Sequence, residues 1–273
     1  MAQATITDSV GTDGYFPPGS VSRRVIGDPA ALVGGISALF LQALHPRAMA
    51  GVDQHSSFPN DFWSRLRRTA EYVTTLAFAD TAQADAAAAR VRAVHRRVRG
   101  VDPVSGLGYA ADDPDLLRWV HVTEVSSFGR AVHRLDLIDD TGLDTFFAEQ
   151  IRAGALLGAT DLPSNAAEVE AYFEAVRPEL VASPVARRAA LRLAAPPLPT
   201  RVELLTPARP AWTVVAAVAF SMLPPWARRL YGVPVPPAVL VPVADATTTA
   251  ALCGLRLALL AVRRASRRPA PQR

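Results

Sequence analysis

Apolar residues recur every three or four positions along most of the 273-residue chain, and this spacing is typical of amphipathic helices. The first clear helix is predicted to begin at Asp28-Pro29, because aspartate is a favoured N-cap and proline fits the first helical turn. No stretch shows a convincing alternation of apolar and polar residues, so the pattern predicts an all-α fold. The apolar positions of this first helix are Leu32, Val33, Ile36, Leu39, Phe40 and Leu44.

Caps and helix breakers divide the rest of the chain into further predicted helices. One runs from near Pro59 to about Phe78, and the next ends at Gly100, ahead of a loop at 101–113 that is rich in turn-forming residues. Asn165 and Thr200 are each followed three residues later by glutamate, which predicts two capping boxes. The later helices are predicted over about 113–135, 142–157, 165 onward, 184 onward, 210–222 and 245–264. We therefore predict one helical domain over residues 28–264, a loosely ordered arm at 1–27 and a basic tail at 265–273.

Composition narrows the range of partners. All 29 basic residues are arginines, the net charge is +4, and the arginines are scattered along the chain, so nucleic acid is not a predicted partner. The single cysteine, Cys253, excludes an internal disulfide. The apolar run at 250–262 contains Arg256 and is shorter than the ~20 residues that cross a bilayer. We interpret it as a core helix and predict no integral membrane segment.

The N-terminal region contains features of a twin-arginine export signal. Arg23-Arg24 precedes an apolar stretch at 31–44, and Ala48-Met-Ala50 resembles a cleavage site. Against this interpretation, Asp28-Pro29 begins an ordinary amphipathic helix inside the stretch, and the motif lies behind a polar segment rich in glycine and proline. We predict a cytoplasmic protein and keep export as the minority hypothesis.

His95 is the leading candidate for chemistry. It falls on the apolar stripe of the helix that ends at Gly100, whereas Arg92, Arg96 and Arg99 fall on the opposite face. An inward imidazole among small residues is either a satisfied core histidine or a metal ligand. The stripe consists of Ala84, Ala87, Ala88, Val91, Val94 and Val98.

Other polar residues fall on predicted helix faces. Arg65, Arg68, Thr69 and Tyr72 are three or four residues apart and share one face, which is either an exposed edge with an ion pair or the polar wall of a buried site. On a later helix His121 lies one turn before Glu124, as a metal ligand lies beside an orienting carboxylate or as two ligands would lie. On this side of the helix the sequence places Leu117, His121, Glu124, Phe128 and Leu135.

Three further observations bear on the chemistry. His45 lies at a helix break, where it caps a carbonyl, lines a site or does both. No Glu-x-x-His pair is present, which argues against a di-iron bundle. The chain also lacks the glycine-rich nucleotide motifs and the Gly-x-Ser-x-Gly motif of serine hydrolases.

Six short motifs together resemble one known family. They occur in the order Leu41-Gln-Ala-Leu-His-Pro46, Gly51-Val-Asp-Gln-His-Ser-Ser-Phe58, Arg65-Leu-Arg-Arg-Thr69, Val91-Arg-Ala-Val-His-Arg-Arg-Val-Arg-Gly100, Asp115-Leu-Leu-Arg-Trp-Val-His121 and Leu223-Pro-Pro-Trp-Ala-Arg-Arg-Leu-Tyr-Gly232. In this order they resemble the MpaB-type oxygenases, long known as a domain of unknown function and related to the latex-clearing rubber oxygenases. The resemblance covers about residues 20–235.

The resemblance implies an all-helical fold with a globin-like core that holds haem b without covalent attachment, and the chain contains no Cys-x-x-Cys-His motif. By its motif, His95 would be the axial ligand of the iron. Arg65 and Thr69 would belong to the haem-pocket helix, and His121 and His45 are further cofactor-binding candidates. The rubber oxygenases have a lysine just before the threonine. Arg68 stands there in this chain and cannot readily deprotonate to bind iron, so a lysine-capped resting state is not expected.

Three hypotheses follow for function. The first is a haem b oxygenase that uses O2 on an apolar small molecule such as an alkene or isoprenoid, with Arg65, Arg68 and Thr69 as catalytic candidates. The second is a haem-binding sensor or carrier without turnover. The third is a helical protein that has lost haem, with His95 as a core residue.

Overall fold

The computed structural model describes residues 14–55, 62–234 and 236–266, and this part of the chain is almost entirely helical. The α-helices are α1 (Val21–Gly27), α2 (Pro29–Gln42), α3 (Pro46–His55), α4 (Phe62–Phe78), α5 (Thr81–His95), α6 (Pro114–His133), α7 (Asp140–Leu157), α8 (Ala166–Val176), α9 (Pro184–Ala194), α10 (Thr200–Leu205), α11 (Ala208–Ser221), α12 (Pro225–Leu230) and α13 (Val241–Ser266). Short 3-10 turns lie at Arg177–Glu179 and Ala238–Leu240. The all-α prediction is confirmed.

Side-chain caps set the starts of several helices as the sequence predicted. Asp28 accepts a hydrogen bond from the Ala30 amide at 2.9 Å and begins α2. Asp113 caps α6, and Asn165 caps α8 by accepting from the Glu168 amide. The second predicted capping box is wrong. Thr200 is already inside α10, which begins behind Pro199 without a side-chain cap.

The core is organised around α2 and α6, which form the most extensive helix pair in the described structure. Gly34 permits their close approach, because a Cβ there would lie 2.6 Å from the backbone oxygen of Ser127. Trp119 is fully buried, and its indole N–H donates to the Gln42 carbonyl at 3.2 Å. We call this α2–α6 contact the seam.

The N-terminal part of the structure differs from the sequence prediction in two ways. Residues 21–27, assigned to the arm, form α1, in which Arg23 donates to the Ala77 carbonyl at 3.1 Å and Arg24 to the Leu137 carbonyl at 3.0 Å. In α2 the predicted core position Leu32 is 48% exposed, whereas Leu41, which was not singled out, is buried. Residues 1–13 lie outside the described residues.

A small β-hairpin replaces part of the predicted loop after α5. Its strands, β1 (Arg99–Val101) and β2 (Gly108–Ala110), pair antiparallel with Gly100 opposite Tyr109. The preceding helix ends at His95 instead of Gly100. Three-residue strands are too short for an alternating pattern to be recognised in sequence.

The interpretation of the last apolar run as a core helix is wrong. On α13 only Thr248 and Leu252 are buried. Within the described residues, the segment Ala238–Ser266 is long and apolar enough to cross a membrane by length and composition. The bent pair α1–α2 passes the same test as a broken span.

Candidate active site

A cavity of about 410 Å³ lies between α3, α4, α5, α6 and α7, within the size range of small-molecule sites. Its walls are mainly apolar, with Val73 and Leu76 from α4 and Ala153 and Leu157 from α7. It opens to the surface, because the lining residue Val94 is 60% exposed. The polar side chains that line it include Arg65, Tyr72, His95, His121, Glu124 and Gln150.

One side of α6 forms a wall of this cavity. Leu117, His121, Glu124 and Phe128 all line it, which confirms that these four residues share a face. Leu135, the fifth residue assigned to this side, follows the end of α6 and packs against the main hydrophobic core. Spacing alone therefore identified the face of α6 that meets the cavity.

His121 is held against α7. Burial lowers its pKa from 6.5 to about 4, with a smaller opposing effect from the backbone of Gln150. Gly154 makes room for the ring, because a Cβ there would lie 2.9 Å from His121 Cδ2. Among the described residues no hydrogen bond or ion pair joins His121 to Glu124, so the orienting role that the sequence offered for Glu124 stays a prediction. His121 is a neutral imidazole at pH 7.

Glu124 and Tyr72 bring two weak acids to the same cavity. Burial raises the pKa of Glu124 from 4.5 to about 7, so that this carboxyl is poised to exchange a proton near neutral pH. The Tyr72 hydroxyl is buried and has no hydrogen-bond partner among the described residues. Burial raises its pKa well above the usual range, and the charge of Glu124 adds to this effect. Tyr72 therefore stays protonated.

His95 is the last residue of α5 and faces the cavity. Its Nδ1 is buried and has no hydrogen-bond partner within the described part of the chain. Burial lowers the pKa of His95, with a smaller opposing effect from Asp112, so the ring is neutral at pH 7. A neutral imidazole with an unsatisfied buried nitrogen is unusual for a histidine that serves packing alone.

The stripe predicted for α5 is buried only in part. Ala84, Ala87 and Ala88 are buried, whereas Val94 is exposed at the cavity mouth. Arg92, assigned to the wet face, donates to the Leu156 carbonyl of α7. This bond fixes the C-terminal half of α5, which carries His95, against α7.

The polar face predicted on α4 divides into two groups. Arg65 and Tyr72 line the cavity, and burial together with the charge of Arg68 lowers the pKa of Arg65. Arg68 and Thr69 are exposed and are not among the lining residues. Arg68 donates to Ser64 Oγ at 2.8 Å, and Thr69 Oγ1 donates to the Arg65 carbonyl at 3.1 Å. Catalytic roles for these two residues remain sequence predictions that the cavity does not support.

His45 lies apart from the cavity lining. Its Nδ1 accepts from the Ala48 amide at 3.5 Å, and its Nε2 lies 3.7 Å from Glu179 Oε2. Burial lowers its pKa to about 4. His45 therefore lies at a helix end, where it accepts from an amide instead of capping a carbonyl as the sequence suggested, and it is not among the lining residues.

Two lining residues escaped sequence reasoning. Gln150 is buried on α7, where its side chain donates to Ser22 Oγ at 2.9 Å. Tyr109 is on β2 and donates to Gln54 Oε1 at 2.7 Å. A lone glutamine at a core position of a predicted helix was the available signal for Gln150. The short hairpin gave none for Tyr109.

The described residues contain no group of three or more histidine, cysteine, aspartate or glutamate side chains placed to hold a metal ion. A histidine that binds the iron of a haem does not need such a group, because the macrocycle supplies the other ligands.

Comparison with known proteins gives one family. The model described as "ER-bound oxygenase mpaB/B'/Rubber oxygenase, catalytic domain" matches residues 23–254, which is most of the chain. No curated protein and no solved structure matches. The match spans α1 to the middle of α13 and includes every cavity-lining residue named above.

Proposed function

Because the chain belongs to the mpaB and rubber oxygenase family, we propose that it is a haem b-dependent oxygenase that uses O2 on an apolar small molecule. The observation that carries this proposal is His95, a neutral imidazole with a buried, unpartnered Nδ1 at the wall of an apolar cavity. The family supplies oxygenase chemistry in general. The haem cofactor is what the resemblance to this family implies, and the substrate class is inferred from the apolar walls of the cavity.

The residues of the cavity fit a haem. His95 offers a nitrogen ligand from one wall, and a neutral ring is the form that binds iron. Arg65 brings a guanidinium to the same cavity, which suits a propionate carboxylate through its planar fork. Small and aliphatic side chains such as Val73 and Ala153 leave room for a flat apolar ring.

The bound haem would supply iron that binds O2, and the chain would control access and protons. Glu124, with its pKa near 7, is the group that could give or take a proton inside the cavity at neutral pH. Tyr72 can donate a hydrogen bond, because its hydroxyl stays protonated. The apolar walls favour an alkene or isoprenoid.

A second candidate function is a haem sensor or carrier without turnover. It is favoured by the second neutral histidine of the cavity, His121, which would offer a second nitrogen to hold a haem. The two candidates share the cofactor and differ in turnover.

Haem content and oxygen uptake together test both candidates. We expect the purified protein to contain haem or to bind added haem, and in either case to show a Soret band. We also expect it to consume O2 when given isoprenoid alkenes. A Soret band without uptake on any alkene would favour the carrier. A protein that neither contains nor binds haem would contradict both proposals and leave His95 as a core residue.

A further inference from the structure

The outer face of α13 is an uncharged surface on the outside of the protein. Between Asp245 and Arg263 the only charged residue of the helix is Arg256. The exposed positions Val243, Ala250 and Leu257 follow one another at intervals of seven residues, which places them along one line on the helix. Val239 and Leu240, in the 3-10 turn just before α13, are also exposed.

The inner face of α13 is attached to the rest of the protein. Leu252 is fully buried, and Thr248 Oγ1 donates to Ser221 Oγ of α11 at 3.2 Å. Arg256 Nη2 lies 2.8 Å from Asp28 Oδ2, at the N-cap of α2. Arg263 donates to the Gly27 carbonyl at 2.9 Å. The charge of Arg256 is thus turned away from the outer face and is neutralised.

These contacts limit the ways in which α13 can bind a bilayer. The segment Ala238–Ser266 has the length and composition of a membrane span. Spanning would require α13 to leave α2 and α11 and would carry Arg256 away from Asp28 into hydrocarbon, which costs several kcal/mol. A helix fixed on one side and apolar on the other can instead lie in the plane of the membrane interface.

The charges beside this face favour an anionic surface. Arg263 and Arg264 are at the end of α13, and the sequence continues with Arg267, Arg268 and Arg273. Asp245, at the opposite end, already lies 3.5 Å from Arg134. A second copy of the chain would place the same arginines against these arginines, and the described part of this face has no free carboxylate to pair with them. Lipid phosphates carry the opposite charge and complement the arginines.

We propose that the outer face of α13, with the preceding turn at 238–240, is the docking surface for an anionic lipid membrane. The helix lies in the interface with Val243 and Leu257 toward the acyl chains and Arg264 among the headgroups. The second half of this helix lies beyond the family match, which ends at residue 254. The part of the docking surface that carries Leu257 therefore lies in this chain's own C-terminal segment.

The single cysteine offers a direct probe, because Cys253 is free and exposed on α13. The full-length protein is labelled there with an environment-sensitive dye and mixed with phosphatidylcholine vesicles that contain about a third phosphatidylglycerol. We expect a blue shift and co-sedimentation with these vesicles, and at least fivefold less binding to pure phosphatidylcholine. Unlabelled protein in the sedimentation assay controls for the dye.

Leu257→Asp tests the apolar contact, and Leu107→Asp is its matched control, because each leucine is 57% exposed and Leu107 lies in the hairpin. We expect Leu257→Asp to lower vesicle binding at least fivefold and Leu107→Asp to leave it within twofold. Val243→Asp repeats the test at the other end of the helix, and circular dichroism checks that each variant is folded.

Three results would overturn the proposal. The first is wild-type protein that stays in the supernatant with anionic vesicles. The second is equal loss of binding in Leu257→Asp and Leu107→Asp. The third is a dimer in sedimentation velocity that Leu257→Asp dissociates while vesicle binding is absent, which would assign the face to a second copy of the chain.

Discussion

The two faces of α6 differ in how they accommodate buried polar groups. On the seam, toward α2, Trp119 is fully buried with its N–H bonded, and the Thr123 hydroxyl donates to the Trp119 carbonyl at 2.8 Å. On the cavity side the same helix presents His121 and Glu124, whose pKa values burial displaces in opposite directions. The seam is close-packed, whereas the cavity leaves about 410 Å³ of space.

This difference separates residues that maintain the fold from residues available for chemistry. The buried hydroxyl groups of the seam are satisfied inside their own helix, so they require no partner from outside. Across the cavity, Tyr72 OH and His95 Nδ1 are buried without a partner among the described residues. Unsatisfied buried groups are costly and are expected where a ligand completes them.

Loss of the seam is expected to have the largest effect. Cleavage after Ala50 would remove α2, whose buried side chains include Val33, Ile36, Phe40 and Leu41. At about 1.5–3 kcal/mol for each such side chain, the loss rivals the ~5–15 kcal/mol net stability of a domain. A chain starting at Gly51 should lack cooperative thermal unfolding in circular dichroism.

The same argument underlies the prediction that the chain stays in the cytoplasm with residues 28–50 intact. Intact-mass analysis in a host with twin-arginine export measures it directly. An exported, folded form beginning at Gly51 would contradict both the role of the seam and the cytoplasmic prediction.

Two neighbouring glycines of α2 test how closely the seam is packed at one helix turn. Gly34→Ala places a Cβ against the Ser127 backbone, which cannot move aside, whereas Gly35→Ala meets only the Phe128 ring at 3.1 Å. Both changes gain the same helix propensity. We expect Gly34→Ala to lower the free energy of unfolding by about 2 kcal/mol relative to Gly35→Ala. Chemical denaturation measures both, and equal values would mean that the seam is loosely packed.

On the cavity side, two arginines of α4 provide a matched pair. Arg65 lines the cavity and Arg68 is exposed three residues later. We expect Arg65→Gln to reduce oxygen uptake about tenfold, equivalent to ~1.4 kcal/mol, and Arg68→Gln to change it less than twofold. Each variant should keep its helical circular dichroism. The reverse order of the two effects would favour the sequence-based role of Arg68 over the cavity geometry.

The smallest expected effect is a change in the free energy of unfolding with pH that arises only from residues of the cavity. Because the pKa of Glu124 is raised to about 7, the unfolded state releases this proton first, and the stability that Glu124 contributes falls as pH rises from about 4.5 to 7. The lowered pKa of His121 acts in the opposite direction between about 4 and 6.5. The wild-type profile therefore combines two opposing slopes.

Glu124→Gln removes one of these slopes. The free energy of unfolding of this variant minus that of wild type should be about 1 kcal/mol larger at pH 7.5 than at pH 5. Denaturant titrations at the two pH values measure the change. An unchanged difference between variant and wild type would show that Glu124 is not buried as the structure has it.

Much of the fold was predictable because local signals agree with it. Asp28 and Asn165 cap the helices they were predicted to cap, and their effect requires no knowledge of the tertiary structure. The exposure of α13 was not predictable, because apolar periodicity is the same whether a face meets protein, lipid or water. Thr200 failed as a cap because Pro199 had already begun the turn.

The sequence predicted which helix faces meet the candidate site but not which residues on those faces are buried. Spacing placed His121 and Glu124 on one face, and both line the cavity. Spacing also grouped Thr69 with Arg65, yet Thr69 is exposed, because periodicity gives the angle around a helix and not how far its neighbours extend. Gln150 was missed because its contact with His121 joins residues distant in sequence.

The central claim is that the cavity holds haem through His95, and a haem titration of three proteins tests it most directly. Wild type, His95→Ala and His45→Ala are stripped of ligand and titrated with haem while the Soret band is recorded. His45 is the matched control, because it is also a buried histidine with a lowered pKa but lies outside the cavity lining. We predict saturable binding with the same spectrum in wild type and His45→Ala, and binding at least tenfold weaker with an altered band in His95→Ala. An unchanged spectrum and affinity in His95→Ala would contradict the claim.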